Sequence, residues 1–135
     1  MKNKKSFIDT YETIYPVHLV VANENVTLEQ LKELYCYADD KELDDSIMNA
    51  VCTTSRCKRK DDDRNISLVK FNHPTRVKNI DIKADMINTY AHEATHVALD
   101  IYDFIREQIS VDYQEQLAYL IAWIAECIYK TLSKK

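Results

Sequence analysis

The sequence contains no glycine, and only two prolines and one tryptophan among 135 residues. Without glycine the usual left-handed helix caps and tight turns are removed, so Asn, Asp, Pro and Ser must shape the loops. The same absence argues against a calcium loop in the acidic stretch 39–45, where the alternating ligands around a central glycine are missing. No apolar run reaches the ~18 residues needed to span a bilayer. The longest, 117–128, is interrupted by Glu126, so no membrane partner is expected. The chain starts with a basic Met1-Lys2-Asn3-Lys4-Lys5, but 6–12 is too polar for an export segment. Cys36, Cys52, Cys57 and Cys127 are therefore expected as free thiols in a reducing cytoplasm. Cys52 and Cys57 also lack the second cysteine pair that a zinc ribbon needs.

A formal net charge of -4 excludes a broad attraction to nucleic acid. The basic run 56–60 is cancelled at once by Asp61, Asp62 and Asp63, so nucleic acid is not an expected partner. What remains is the balance of a folded single domain, 46% apolar and 30% charged. Residues 1–10 read as a flexible basic tail and 11–135 as one domain.

Along that domain, 14–22 is rich in β-branched residues and reads as a strand starting near Val17, after Pro16, with His18 as its unusual member. Thr27 followed by Gln30 is a capping box, and Leu28, Leu31, Leu34 and Tyr35 give the first helix its apolar stripe. A solvated acidic linker follows at 39–45. Strands are expected at 47–54 and 66–71, joined by an exposed loop at 55–65. Asn72-His73-Pro74 ends the third strand. Asp81 caps a long helix reaching to about 104–109, and Asp112 caps a last helix over 113–132. The expected fold is α+β, with a short, mainly antiparallel three-stranded sheet and helices on one face.

Inside the long helix lies His92-Glu93-Ala94-Thr95-His96. Histidines four apart on a helix point the same way, so their imidazoles can share one zinc ion, with Glu93 placed to take a proton from metal-bound water. Ala91, Ala94, Val97, Ala98 and Ile101 suggest a largely buried setting, in which metal ligation would satisfy the imidazoles. Catalytic zinc takes three protein ligands and keeps one position open. Glu115 is the first choice for the third, since a turn at 107–111 lets the two long helices pack antiparallel. Gln116 and Glu126 are alternatives, and Asp112 with Glu115 also has capping-box spacing. Zinc would polarise the scissile carbonyl, and Glu93 would move the proton to the leaving nitrogen. Tyr119 is the first choice as oxyanion donor, ahead of Tyr102, His73 and Tyr90. Asp100 is placed to accept the second ring proton of His96.

Residues 90–100 around this turn, with 114–123, resemble the gluzincin branch of zinc metallopeptidases. More narrowly, they are similar to small HExxH proteins of phage and prophage genomes of gut bacteria. The resemblance implies a minimal zincin-like domain with His92, His96 and Glu115 as ligands and Glu93 as general base. It also implies a substrate-binding edge strand, placed at 66–71 with Asn72 and His73 nearby, and a bacterial host cytoplasm. Two departures stand out. Tyr119 occupies the place of an aspartate one turn after the glutamate ligand, and there is no second lobe. The expected function is a zinc-dependent hydrolase, a small metallopeptidase acting on a peptide or protein, its shallow cleft completed by a partner protein. The alternative is a non-enzymatic phage accessory or structural domain in which zinc staples two helices.

Overall fold

The computed structural model describes residues 5–74 and 81–135. The elements run β1 (Ile8–Tyr11), β2 (Val17–Ala22), α1 (Leu28–Leu34), β3 (Tyr35–Tyr37), β4 (Cys52–Arg59), β5 (Asn65–Phe71), α2 (Ile82–Ile105) and α3 (Glu115–Leu132). A single five-stranded sheet has the order β1-β2-β5-β4-β3. β2 and β5 pair in parallel, Val17 opposite Asn65, and the other pairs are antiparallel. The α+β class is as expected, but the sheet is five-stranded and mixed rather than three-stranded and antiparallel. No helix of the described residues is long and apolar enough to cross a membrane.

The two additional strands come from segments with weak local signals. β1 lies partly in the expected tail and is held from far along the chain. Thr131 Oγ1 donates to Asp9 Oδ2 at 2.8 Å, Lys134 Nζ lies 2.7 Å from the same carboxylate, and Tyr11 Oη shares a 2.7 Å hydrogen bond with Thr131. β3 follows α1 without a break. The expected strand at 47–54 is shifted. Residues 45–48 form a 3-10 turn capped by Asp44, and β4 instead extends through the basic run to Arg59. The charges there are paired outward, Lys58 with Asp40 at 2.8 Å and Arg59 with Asp62 at 2.7 Å.

The sheet is covered on both sides, not one. Val17, Leu19, Val21, Val69 and Phe71 pack against α2 and α3, through Val97, Ile101, Ile124 and Ile128. Val20, Ala22, Ile66, Leu68 and Cys57 face α1 and the 45–48 turn, through Leu31, Tyr35 and Ile47. β2 is buried along its whole length, as a strand covered on both faces must be. Fully burying each such aliphatic side chain contributes about 1.5–3 kcal/mol.

The α1 face also encloses Lys70, whose Nζ donates to the carbonyls of Asn23 at 3.0 Å and Phe71 at 2.7 Å. Burial disfavours the ammonium and lowers its pKa to about 8. Elsewhere the lack of glycine has a conformational cost. Asp40, Asp63 and Arg106 are left-handed, with φ of 70°, 56° and 59°. Aspartate tolerates this region. Arg106 does so less readily, and it holds the position after α2 where Glu107 N–H closes back on Tyr102 O at 2.9 Å.

Two stability measurements test these assignments. Lys70 has a lower pKa folded than unfolded, so between pH 8 and its unfolded value the unfolded chain binds more protons and folding gains as pH rises. Between pH 7 and 10 the wild type should gain about 2–3 kcal/mol relative to Lys70→Met in urea titrations, and a pH-independent difference contradicts a buried charge. Arg106→Gly should raise the urea midpoint, by roughly 1 kcal/mol of stability.

Candidate functional site

α2 begins where the sequence places it, with Asp81 Oδ1 accepting from Lys83 N–H at 3.0 Å and Ala84 N–H at 3.2 Å. Its buried stripe is Glu93, Ala94, Val97, Ala98, Ile101 and Tyr102. The helical phase that buries Glu93 turns the histidines outward. His92 is 63% exposed in its side chain against 7% for Glu93, so the expected burial of the imidazoles is replaced by burial of the carboxylate. His92 Nε2 and His96 Nε2 converge to 3.2 Å, with ring centroids 4.8 Å apart and planes at 76°.

Glu93 reaches under the helix onto β4. Thr54 Oγ1 donates to its Oε2 at 2.5 Å, while Oε1 lies 4.0 Å from His92 Nε2. A buried carboxylate is costly without such a donor. Its charge also reaches Cys52, whose thiol pKa is raised by burial first and by Glu93 second. Val51, Cys52, Asp85, Asn88, His92 and Glu93 line a hollow of about 350 Å³ here. Arg56, two residues along β4 from Thr54, binds Asp103 at 2.7 Å and Asp100 at 3.1 Å. Asp100 is thus engaged by Arg56 rather than by His96 as expected. Burial, with a smaller contribution from the nearby Cys36, raises the pKa of Cys57 to about 12.

The structure brings His92, His96 and Glu93 together and leaves Glu115 elsewhere. Among the described residues, no three His, Cys, Asp or Glu side chains are grouped so as to hold a metal. The first turn of α3 faces the far end of α2, where Tyr102, Glu107, Gln114 and Gln116 line a shared hollow. Tyr102 is already six residues, or ~9 Å, beyond His96. α3 also packs on the other flank of α2, where Tyr90 meets Tyr129 edge-on at 6.0 Å and Ala91 faces Ala125 and Glu126. Glu115 is not part of a capping box either. Ser110 nucleates a 3-10 turn at Val111–Tyr113, and α3 starts at Glu115 with no side-chain cap.

The remaining sequence choices are also dispersed. Gln116 donates to Tyr15 Oη at 3.0 Å, and Glu126 pairs with Lys130 at 3.6 Å. Tyr119 is 72% exposed on the outer face of α3, beside Ile14 and Trp123. Tyr102 is buried in the core, and His73 Nδ1 contacts Pro74 O at 3.0 Å. His18 is buried with Nδ1 unpartnered, and burial lowers its pKa. Thr54, Cys52 and Arg56 are the site residues that sequence reasoning missed. Their signal is the i, i+2, i+4 spacing that sets them on one strand face, cut short at Thr54 because a loop was expected from residue 55 and Arg56 fell inside it.

β5 does not serve as the edge strand, because it lies between β2 and β4 with both sides paired. The open edge belongs to β4. On the side away from β5, β3 pairs only with Cys57, Lys58 and Arg59, and no strand among the described residues pairs with 52–56 there. Ala38 N–H donates to Arg56 O and Lys60 N–H to Leu34 O on this side, so the alternation also turns the backbone of Thr54 and Cys52 outward.

The Thr54 contact can be measured. Thr54→Val removes a donor from a buried carboxylate and should lower stability by about 1–3 kcal/mol, read as a lower urea midpoint at unchanged slope. An unchanged midpoint means that Glu93 does not depend on it.

No family model matches this chain, and neither the curated proteins nor the solved structures contain a match to it.

Proposed function

We propose that this turn of α2 is a hydrolytic metal centre acting on an extended peptide or protein segment, with His92 and His96 as zinc ligands and Glu93 as general base. The observation that carries this is the convergence of two exposed imidazole nitrogens to 3.2 Å beside a buried carboxylate. That spacing is close to the ~3.3 Å edge of a tetrahedron with Zn–N bonds of ~2.0–2.1 Å. The spacing suits two ligands of one ion, which would take the place of the hydrogen bond these two nitrogens make with each other. With Glu115 distant, further ligands would come from water, from the substrate, or from a partner protein that completes the cleft. Zinc held here would supply a Lewis acid and a water of lowered pKa.

The residues of the chain supply the rest of the chemistry. Thr54 fixes one oxygen of Glu93 and leaves the other on the histidine side, where it can take a proton from the attacking water and pass it to the leaving nitrogen. The open edge of β4 offers backbone groups to which an extended substrate can add as a strand. Tyr119 has no part in this reading, because it faces away on α3. A helix running beside an open strand is the arrangement a minimal zincin-like domain of the gluzincin kind requires. Four free thiols suit a bacterial cytoplasm, the setting of a phage or prophage protein. The non-enzymatic alternative, zinc as a staple between α2 and α3, has less support, because Glu115 and Glu126 do not reach the histidine flank.

Zinc titration and a peptide-cleavage assay separate the two. His92→Ala and His96→Ala should each weaken zinc binding. Glu93→Gln should retain zinc and lose cleavage by roughly 10²–10⁴-fold. Equal zinc affinity of the wild type and the double alanine variant refutes the metal centre. Zinc binding with no cleavage of any peptide in a broad library refutes the hydrolase.

A further inference from the structure

α3 presents to solvent a face of alanines and tyrosines with only two charged residues, Glu115 and Glu126. Leu120, Ile124, Cys127, Ile128 and Leu132 are buried against the sheet and α2. The opposite stripe, Glu115, Ala118, Tyr119, Ala122, Glu126 and Tyr129, is exposed and recurs at the spacing of one helix face. Its two tyrosines are 72% and 55% exposed. A solvated helix face is normally charged, and a helix apolar on all sides is normally a buried one. Hollows lined mostly by apolar side chains flank α3. One, of about 510 Å³, lies toward the 12–15 loop, where Ile14 stands 94% exposed beside Tyr119 and Trp123. The other, of about 630 Å³, lies toward the start of α2, where Ile82, Met86 and Ile87 meet Tyr129.

We propose that this face pairs with α3 of a second copy of the chain, antiparallel about a two-fold axis at Ala122. Charge and size set both partner and register. In an antiparallel pair centred there, Glu115 of each copy comes to Tyr129 and Lys130 of the other, so opposite charges meet at both ends. Ala118 falls over Ala125, small against small, and Tyr119 comes to Glu126, its hydroxyl within reach of that carboxylate, on opposite flanks of the seam. Ala122 meets itself where the backbones come closest. A parallel pair would instead set Glu115 on Glu115 and Lys130 on Lys130. With Glu115 and Glu126 on the face and Lys130 at its rim beside Glu126, a partner of one charge sign would match only part of it, whereas a two-fold copy brings the rim lysine of each to Glu115 of the other. The antiparallel arrangement also opposes the helix dipoles. The pairing does not rest on the hydrolase reading. The histidines occupy the flank of α2 turned away from α3 and would stay open in the dimer.

Sedimentation velocity on the full chain, from about 1 to 100 μM, should show a species of twice the 15.8 kDa chain mass. Ala122→Glu, which puts two carboxylates at the axis, should weaken association by more than about 100-fold with helix content retained by circular dichroism. Glu115→Lys alone should weaken it about tenfold, and Glu115→Lys with Lys130→Glu should restore it to within about threefold. A chain that stays monomeric throughout overturns the proposal. So does a folded Ala122→Glu variant that still dimerises, or a double charge reversal no better than the single one.

Discussion

The phase of α2 against β4 is the constraint from which the site follows. A helix advances about 100° per residue, so histidines four apart share a flank and the residue after the first points a quarter-turn away. Here that quarter-turn carries Glu93 into the core while both imidazoles stay outside. A carboxylate in such a place requires a donor, and Thr54 is that donor. The same strand then meets the helix again at Arg56 with Asp100 and Asp103. Slipping β4 by one residue would turn Thr54 and Arg56 to the α1 face and strand three carboxylates at once. The register of the sheet and the chemistry of the turn are therefore specified by the same contacts.

Much of the helical architecture was legible from residues alone. Asp81 as a cap, the Thr27–Gln30 capping box and the inner stripe of α3 are local signals, and each is found where the spacing puts it. The sheet was less legible because its strands are stabilised remotely. β1 is a short stretch whose Asp9 is bound by residues more than a hundred positions away. The charged half of β4 reads as a loop until its partners Asp40, Asp62, Asp100 and Asp103 are known. Lys70 falls within the strand expected at 66–71. Its enclosure depends on the carbonyls of Asn23 and Phe71, which no spacing rule anticipates.

The histidine pair and Glu115 show the same division. His92 and His96 belong to one turn, and a single helix is enough to bring them together. Joining Glu115 to them requires a particular crossing of two helices and a particular flank. Here the flank of α2 that receives α3 carries Tyr90 and Ala91. The α3 side of α2 is thereby given to packing, and the histidine pair faces away from it, near β4 residues with which no strand but β5 pairs among the described residues.

The seam between Asp9, Thr131 and Lys134 has a consequence for biosynthesis. Translation makes β2 directly after β1, but the side chains that hold Asp9 come more than a hundred residues later. Until then β1 lies on β2 without that lock, and the flank it covers is the more readily exposed to other nascent chains. The lock on the earliest strand is thus assembled only after the other four strands of the sheet have been made.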